Sequence, residues 1–204
     1  MNLPFFITNP PRILQAYAMA ELKHREAENI RKFTQEPYIV HPVEVAEIVF
    51  TNAHAAHFEL DLIEDMVCVA LLHDNVEDTD TTYNEIEKAF GVNVRNGVFW
   101  LTDVTNKAQG NRRIRKELET LRLLSAPGWV KFIKLADFIS NTQSIVEHDI
   151  KFAGTYLNEK KTVVDAFGAQ LNTLGATNEL SVNPSMLTKA RASLVQSLDS
   201  ISKP

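Results

Sequence analysis

Hydrophobic residues recur at helical spacing along nearly the whole chain, and this pattern predicts an all-α protein. Apolar positions three or four residues apart are typical of one buried helix face. No segment shows the sustained alternation of a strand followed by a hairpin turn. We therefore expect a bundle of about eight to ten helices. The predicted helices cover residues 11–33, 42–55, 61–76, 82–91, 92–101, 111–124, 128–146, 158–174 and 184–201.

The most apolar run, residues 66–72, predicts a helix that is buried on several faces. It is far shorter than the roughly 20 residues that cross a bilayer, so we do not expect a membrane-spanning protein. Cys68, the single cysteine, lies in this run. One cysteine forms no intramolecular disulfide, which favours a reducing compartment. Residues 1–11 lack the basic region of a signal peptide, so we expect a cytoplasmic protein.

The 204 residues predict a single domain over 1–204 with a core at about 11–174. Residues 175–183 are rich in Gly, Thr, Asn and Ser, and they precede a final packing helix at about 184–202. The formal net charge of −5 argues against a general nucleic-acid-binding protein. A small anionic ligand remains compatible with it, because local charge can outweigh the global sign. A homo-oligomer is left open.

Four titratable side chains follow the apolar run directly, in the stretch ALLHDNVEDT at residues 70–79. If the helix continues, His73 and Glu77 share one face, and Asp74 and Asp78 share another. Polar groups gathered at the end of a core helix are costly to bury without compensation. Imidazole and carboxylate groups are the natural ligands of a divalent transition metal. The stretch therefore predicts a metal site or an acid/base site.

Further ligands must come from other parts of the chain. Two candidates stand out: His41 in YIVHP, where Pro42 fixes the start of a helix, and Asp137 in IKLADFISN, an acid inside an apolar helical stretch. Each is an unusual residue in its surroundings, which is typical of a functional group.

With these motifs together, the sequence resembles the HD-domain metal-dependent phosphohydrolases. Within that family it is similar to the hydrolase module of RelA/SpoT homologues, including the single-domain small alarmone hydrolases. The resemblance rests on five motifs in order along about residues 15–165. They are PYIVHP at 37–42, ALLHDNVEDT at 70–79, a Thr-x-x-Glu-Ile helix start followed by FG within 82–91, LTDVT at 101–105 and KLADFISN at 134–141.

The resemblance implies an all-helical fold that binds Mn²⁺ or another divalent transition metal. The implied ligands are His41, His73, Asp74 and Asp137. The implied reaction is hydrolysis of the 3′-pyrophosphate of (p)ppGpp to GDP or GTP and pyrophosphate. It also assigns to Glu77 and Asp78 the positioning or activation of the attacking water.

Substrate contacts are implied at five further positions. Asn141 matches an asparagine near the ribose and the 3′-phosphates, and Lys134 belongs to the same motif. Either Arg31 or Lys32 matches a basic residue that packs on the purine, since the spacing to PYIVHP is one residue longer than expected. Arg112, in a cluster with Arg113, Arg115 and Lys116, either holds the 5′-phosphates or belongs to a solvated helix face.

The chain departs from the family pattern at two positions. Arg or Lys often follows the Asp of KLAD directly, where this chain has Phe138, and another Arg often lies a few residues further on, where it has Gln143. These changes put the phosphate contacts in doubt, and with them the choice between (p)ppGpp, (p)ppApp and another nucleotide phosphate. A non-catalytic nucleotide-binding module is the alternative from a different class. The dipeptide His148-Asp149 has no apolar helix run before it and no acidic pair after it, so we interpret it as structural.

Overall fold

The computed structural model describes residues 3–31 and 34–202; Lys32 and the side chain of Gln143 lie outside this description. The described residues form eleven α-helices, two of them single turns of four residues, and a short 3₁₀ turn. An isolated antiparallel bridge joins Ile30 to Pro37. The prediction of an all-α fold is confirmed. The helices form two compact units, Met1–Thr102 and Asp103–Pro204.

The first unit contains seven helices, and local sequence signals explain several of their ends. Pro11 opens the second helix, where a missing backbone N–H costs nothing. Thr82 and Glu85 form the predicted capping box, and Gly91 ends that helix with a φ of 87°. The helices are α1 (Phe5–Thr8), α2 (Pro11–Glu26), α3 (Val40–Ala55), α4 (Leu60–Leu72), α5 (Asn75–Asp78), α6 (Tyr83–Phe90) and α7 (Val92–Leu101).

Helix α4 is the core of the first unit, since α2, α3 and α7 all pack against it. Every residue from Met66 to Leu72 is fully buried, including Cys68, as its apolar run predicts. A salt bridge of 2.7 Å from Arg12 to Asp65 ties α2 to α4. The end of α4, which carries the His-Asp pair, is therefore held firmly in place.

Two helices of this unit end earlier than predicted. Helix α2 stops at Glu26 instead of residue 33, because Glu28 adopts a left-handed conformation with φ 55°. Helix α4 stops at Leu72 instead of residue 76, and a short connection separates it from α5. His73 and Asp74 thus lie between two helices and not on one continuous face.

The second unit contains the four remaining helices. They are α8 (Arg112–Leu124), α9 (Gly128–His148), α10 (Ile150–Leu174) and α11 (Pro184–Ser202), and the 3₁₀ turn over Lys107–Gln109 precedes them. Helix α11 packs against α9 and α10. Helix α10 begins at Ile150, earlier than predicted, because the Asp149 side chain accepts a hydrogen bond from Phe152 N and caps it.

A buried lysine fastens the segment between α10 and α11. Lys131 Nζ donates hydrogen bonds to Leu124 O at 2.8 Å, Gln170 Oε1 at 2.5 Å and Leu180 O at 2.5 Å. Three acceptors satisfy the three N–H groups of an ammonium. The start of α9 contacts the same segment: Gly128 N donates to Glu179 O at 2.7 Å, and a Cβ at Gly128 would lie 2.1 Å from Ser181 O.

Within residues 3–31 and 34–202, no helix combines the length and the apolar character needed to cross a membrane.

Candidate active site

Three predicted metal ligands come together in the first unit. His41 lies in the first turn of α3, His73 follows the last residue of α4, and Asp74 precedes α5. One ligand atom from each lies within 4.8 Å of the other two. Asp74 Oδ2 is 3.1 Å from His73 Nε2 and 3.9 Å from His41 Nε2. Both histidine rings are buried, so this cluster is screened from solvent on most sides.

The His73 ring is oriented for metal binding. Its Nδ1 lies 2.8 Å from Ala70 O, and a carbonyl oxygen only accepts, so Nδ1 carries the proton. In the neutral ring the lone pair is then on Nε2, which faces Asp74. A backbone carbonyl that fixes the tautomer in this way is typical of metal-bound histidines. Two imidazoles and one carboxylate form a donor set that suits a divalent transition metal, so the residues present fit such an ion.

A tyrosine and a third histidine support this cluster. Tyr38, in PYIVHP, donates a hydrogen bond of 2.5 Å from its hydroxyl to Asp74 Oδ2. Its ring packs against His24, with 4.5 Å between the ring centroids. His24 is 1% exposed, and its burial, although opposed by the nearby Asp74 carboxylate, lowers the pKa of His24 to about 4. His24 is therefore neutral at neutral pH.

Asn29 links His24 to the acidic pair formed by Glu77 and Asp78. Asn29 Nδ2 lies 3.1 Å from His24 Nδ1 and donates a hydrogen bond of 2.9 Å to the backbone oxygen of Asp78. The chain after α2 and the last residue of α5 are thereby held together. Sequence reasoning missed Asn29, because its partners lie 5 and 49 residues away.

Glu77 and Asp78 occupy α5, and both residues are exposed. Partial desolvation and the nearby Asp74 carboxylate raise the pKa of Asp78, while a hydrogen bond from Tyr38 opposes the rise. The pair thus lies on the turn that follows the metal-ligand candidates, with its carboxyl groups accessible to solvent and to a ligand.

The second unit holds the KLAD residues. Asp137 is 6% exposed on α9, and its carboxylate contacts Lys134 Nζ at 3.1 Å. Asn141, one turn further on, donates a hydrogen bond of 2.5 Å from Nδ2 to Asp137 Oδ1. The two candidates for substrate contact in this motif therefore both engage the carboxylate predicted as a ligand.

The remaining candidates for substrate binding are engaged with carboxylates. Arg31, which is buried, contacts both oxygens of Glu44 at 3.0 Å. Arg112 forms two hydrogen bonds to Glu159, at 2.6 and 2.8 Å, beside a groove of about 570 Å³ between α8 and α10. Lys32, the alternative to Arg31, lies outside the described residues.

Sequence reasoning missed one residue of the second unit, Lys160 on α10. Its Nζ lies 4.2 Å from the centroid of the Phe138 ring and 4.8 Å from that of Tyr156. In the sequence, Lys160 stands in the charged run Glu-Lys-Lys, which is typical of a solvated helix face. Only the fold brings it to the residue that follows Asp137.

Together, the helical fold and the His-His-Asp cluster define a class of α-helical proteins with a buried cluster that could hold a divalent metal ion. A protein-family model described as an HD domain matches residues 16–166. The chain therefore belongs to the HD domain family. The resemblance to RelA/SpoT-type hydrolases is also confirmed, because relatives named 3′-pyrophosphohydrolases match this chain.

Mouse MESH1, a protein named guanosine-3′,5′-bis(diphosphate) 3′-pyrophosphohydrolase, is 39% identical over 137 residues, which are 66% of this chain and 69% of that protein. Human MESH1, of the same name, is 37% identical over the same shares. A pyrophosphohydrolase of this name from Aquifex aeolicus is 32% identical over 133 residues, or 65% of this chain. The match spans only 18% of that longer protein.

Two solved structures share the fold. One is described as a metazoan orthologue of SpoT that hydrolyses ppGpp; it aligns with a TM-score of 0.71 and 26% identity, over 91% of this chain and 95% of that one. A Listeria monocytogenes protein aligns with a TM-score of 0.57 over 81% of this chain and 98% of its own, at 23% identity, which indicates the fold alone.

Proposed function

We propose that this chain is a metal-dependent hydrolase that removes the 3′-pyrophosphate of (p)ppGpp. The observation that carries the proposal is the close approach of His41, His73 and Asp74, whose ligand atoms lie within 4.8 Å of one another. It is supported by the names of the mouse and human relatives, which are 3′-pyrophosphohydrolases of the same substrate.

The proposed metal is Mn²⁺, bound by His41, His73 and Asp74 with Asp137 as the fourth ligand. The assignment of Asp137 rests on the KLAD motif and on its burial as an acid within an apolar helix. When bound, such a metal lowers the pKa of water and polarises a phosphoryl oxygen. A hard carboxylate pair with two imidazoles suits Mn²⁺ as well as its neighbours in the transition series.

In the proposed reaction, water attacks the phosphorus that is joined to the ribose 3′-oxygen. The bond between that phosphorus and the 3′-oxygen breaks, and the products are GDP or GTP and pyrophosphate. Glu77 accepts a proton from the attacking water, and Asp78 orients it; both are accessible on α5. Asn29 donates a hydrogen bond to the backbone oxygen of Asp78 and so fixes the position of Glu77 and Asp78. No covalent intermediate with the protein is needed.

The proposed roles of the remaining residues concern the substrate. Asn141 and Lys134 bind the ribose and the 3′-phosphates beside Asp137, to which both are already bonded. Lys32 or Arg31 packs on the base, and Arg112 binds the 5′-phosphates after exchanging its contact with Glu159 for the ligand. A guanidinium suits both a planar base and a phosphate.

The test is incubation of purified, Mn-loaded protein with ppGpp and, separately, with ppApp, followed by chromatography of the products. We expect GDP and pyrophosphate from ppGpp. The Glu77→Gln variant should retain its metal but lose about 10²- to 10⁴-fold in rate, because a general base contributes that much. Release of orthophosphate, or hydrolysis of ppApp alone, would refute the proposed substrate; full activity of Glu77→Gln would refute the role of Glu77.

A further inference from the structure

Lys160 is held in place by aromatic rings and not by an acid. Its ammonium contacts the faces of Phe138 and Tyr156, at 4.2 and 4.8 Å from the ring centroids. Across residues 3–31 and 34–202, no carboxylate forms an ion pair with it and no acceptor takes a hydrogen bond from it. Ring faces attract the charge but leave the three N–H groups available as donors.

Two further lysines, Lys116 and Lys134, lie close to the Phe138 ring or to the aspartates Asp103 and Asp137. Lys134 Nζ lies 5.5 Å from the Phe138 centroid and pairs with Asp137, and Lys116 pairs with Asp103 at 2.6 Å. Although burial opposes it, Lys134, Lys116 and Lys160 together lower the pKa of Asp103. We call Lys116, Lys134 and Lys160 the lysine cluster. With Asp103 and Asp137 it carries three positive charges against two negative ones.

Lys131 shows what a purely structural lysine looks like in the same unit. All three of its N–H groups reach oxygen acceptors of the protein. Among the described residues Lys160 reaches none. Desolvation and the neighbouring lysines, opposed by Asp137 and Asp103, lower its pKa to about 8. A half-buried cation in an electropositive setting is stabilised when an anion with several oxygens supplies the missing acceptors.

The position next to Asp137 strengthens this interpretation. Phe138 directly follows Asp137 on α9. Lys160 reaches this position from α10, with its Nζ 4.2 Å from the centroid of the Phe138 ring, so a positive charge lies beside the residue that follows Asp137. The Phe138 ring thus holds the Lys160 ammonium close to the KLAD motif.

We propose that Lys160, seated between Phe138 and Tyr156 and flanked by Lys116 and Lys134, binds a phosphate group of a nucleoside polyphosphate. That the occupant is the substrate rests on the function proposed above; that it is a polyphosphate rests on the unpartnered donors and on the excess positive charge. Lys160 is then a specificity-determining residue that the family motifs do not contain.

The direct test is binding of ppGpp, and separately of inorganic pyrophosphate, to the full-length protein in chelator and at low ionic strength. Isothermal titration calorimetry measures affinity there without turnover. We expect Lys160→Met to weaken ppGpp binding by about tenfold or more, because a charge-assisted hydrogen bond is lost. Lys160→Arg, which keeps the charge, should remain within about threefold of the wild type.

Lys161→Met is the matched control, since Lys161 is the next residue of α10, is exposed and pairs with Asp165. It should bind as the wild type does. Thermal unfolding checks that Lys160→Met is folded, and Lys160→Arg keeps the test valid if it is not. Equal ppGpp affinity in Lys160→Met and Lys161→Met, or loss of binding in Lys160→Arg, would overturn the proposal.

Steady-state kinetics of the Mn-loaded protein separate this proposal from the one on which it rests. Hydrolysis of ppGpp with a raised KM and a nearly unchanged kcat in Lys160→Met supports both. Hydrolysis with an unchanged KM overturns the role of Lys160 and leaves the function standing. If the wild type does not hydrolyse ppGpp but binds pyrophosphate through Lys160, the function fails and the anion subsite is supported.

Discussion

The dipeptide His-Asp occurs twice in this chain, each time where one helix ends and another begins. His73 and Asp74 join α4 to α5, and His148 and Asp149 join α9 to α10. In both, the histidine Nδ1 lies 2.8 Å from a backbone oxygen of the helix that it ends. The local design is thus the same at the two junctions.

The two aspartates are used differently. Asp149 accepts a hydrogen bond from Phe152 N at 3.2 Å and caps α10. Asp74 makes no side-chain capping bond to α5, all of whose residues are described; its Oδ2 accepts from Tyr38 and faces two imidazoles. His73 is 2% exposed, whereas His148 is exposed. Burial and the presence of His41, and not the dipeptide, give the first junction a set of ligand atoms that could hold a metal ion.

The largest expected difference between the junctions is in metal binding. His73→Ala should lose the bound metal and reduce ppGpp hydrolysis by about 1,000-fold or more, because a ligand is removed from a site that activates water. The matched variant His148→Ala should keep both. Elemental analysis after loading with Mn²⁺ and dialysis measures the metal, and an assay of pyrophosphate release measures turnover. Equal metal content in the two variants would contradict the comparison.

A smaller effect is expected from the residue that directs Asp74 away from its capping role. Tyr38→Phe removes the hydrogen bond to Asp74 Oδ2 and should weaken metal binding by about tenfold, as loss of a supporting hydrogen bond does at other metal sites. Competition with a chromophoric chelator measures the affinity.

Tyr83→Phe, on α6 of the same unit, is the control for removing a phenol and should bind metal normally. An unchanged affinity in Tyr38→Phe would mean that Asp74 is oriented by other contacts alone.

The smallest expected effect is at the second junction. Asp149→Ala should lower the free energy of unfolding by about 1 kcal/mol, because it removes the cap of α10, and should leave metal content unchanged. Urea unfolding measures the stability. Asp149→Ser, which can still cap the helix, should recover most of the lost stability. A loss of metal in Asp149→Ala would contradict the comparison, because it would give the second junction a role in metal binding.

Much of the fold could be predicted because its signals are local. Three features depend only on neighbouring residues: the buried run that ends at Leu72, the capping box of Thr82 with Glu85, and the helix end at Gly91. The breaks after Glu26 and Leu72 were missed because neither is marked by Gly or Pro. Glu28 adopts its left-handed conformation without the residue that usually signals one.

The part of the site that could be predicted consists of residues whose side chains are unusual for the sequence around them. His41, His73 and Asp74 are polar groups in apolar sequence, and the structure brings them together. Tyr38, Asn29 and Lys160 were missed because their roles depend on partners distant in sequence: Asp74, Asp78 and Phe138 lie 36, 49 and 22 residues from them, respectively. The roles of Asp137, Glu77 and Asp78 stay predictions.

The close contact at Gly128 has a consequence for relatives of this chain. Even a methyl group there would collide with Ser181 O, 2.1 Å away, and would force apart the start of α9 and the segment that leads to α11. Any homologue with a larger residue at this position must route its carboxy-terminal segment along a different path. The residue at this position thus serves as a diagnostic marker that sorts homologues by the course of the segment that leads to their final helix.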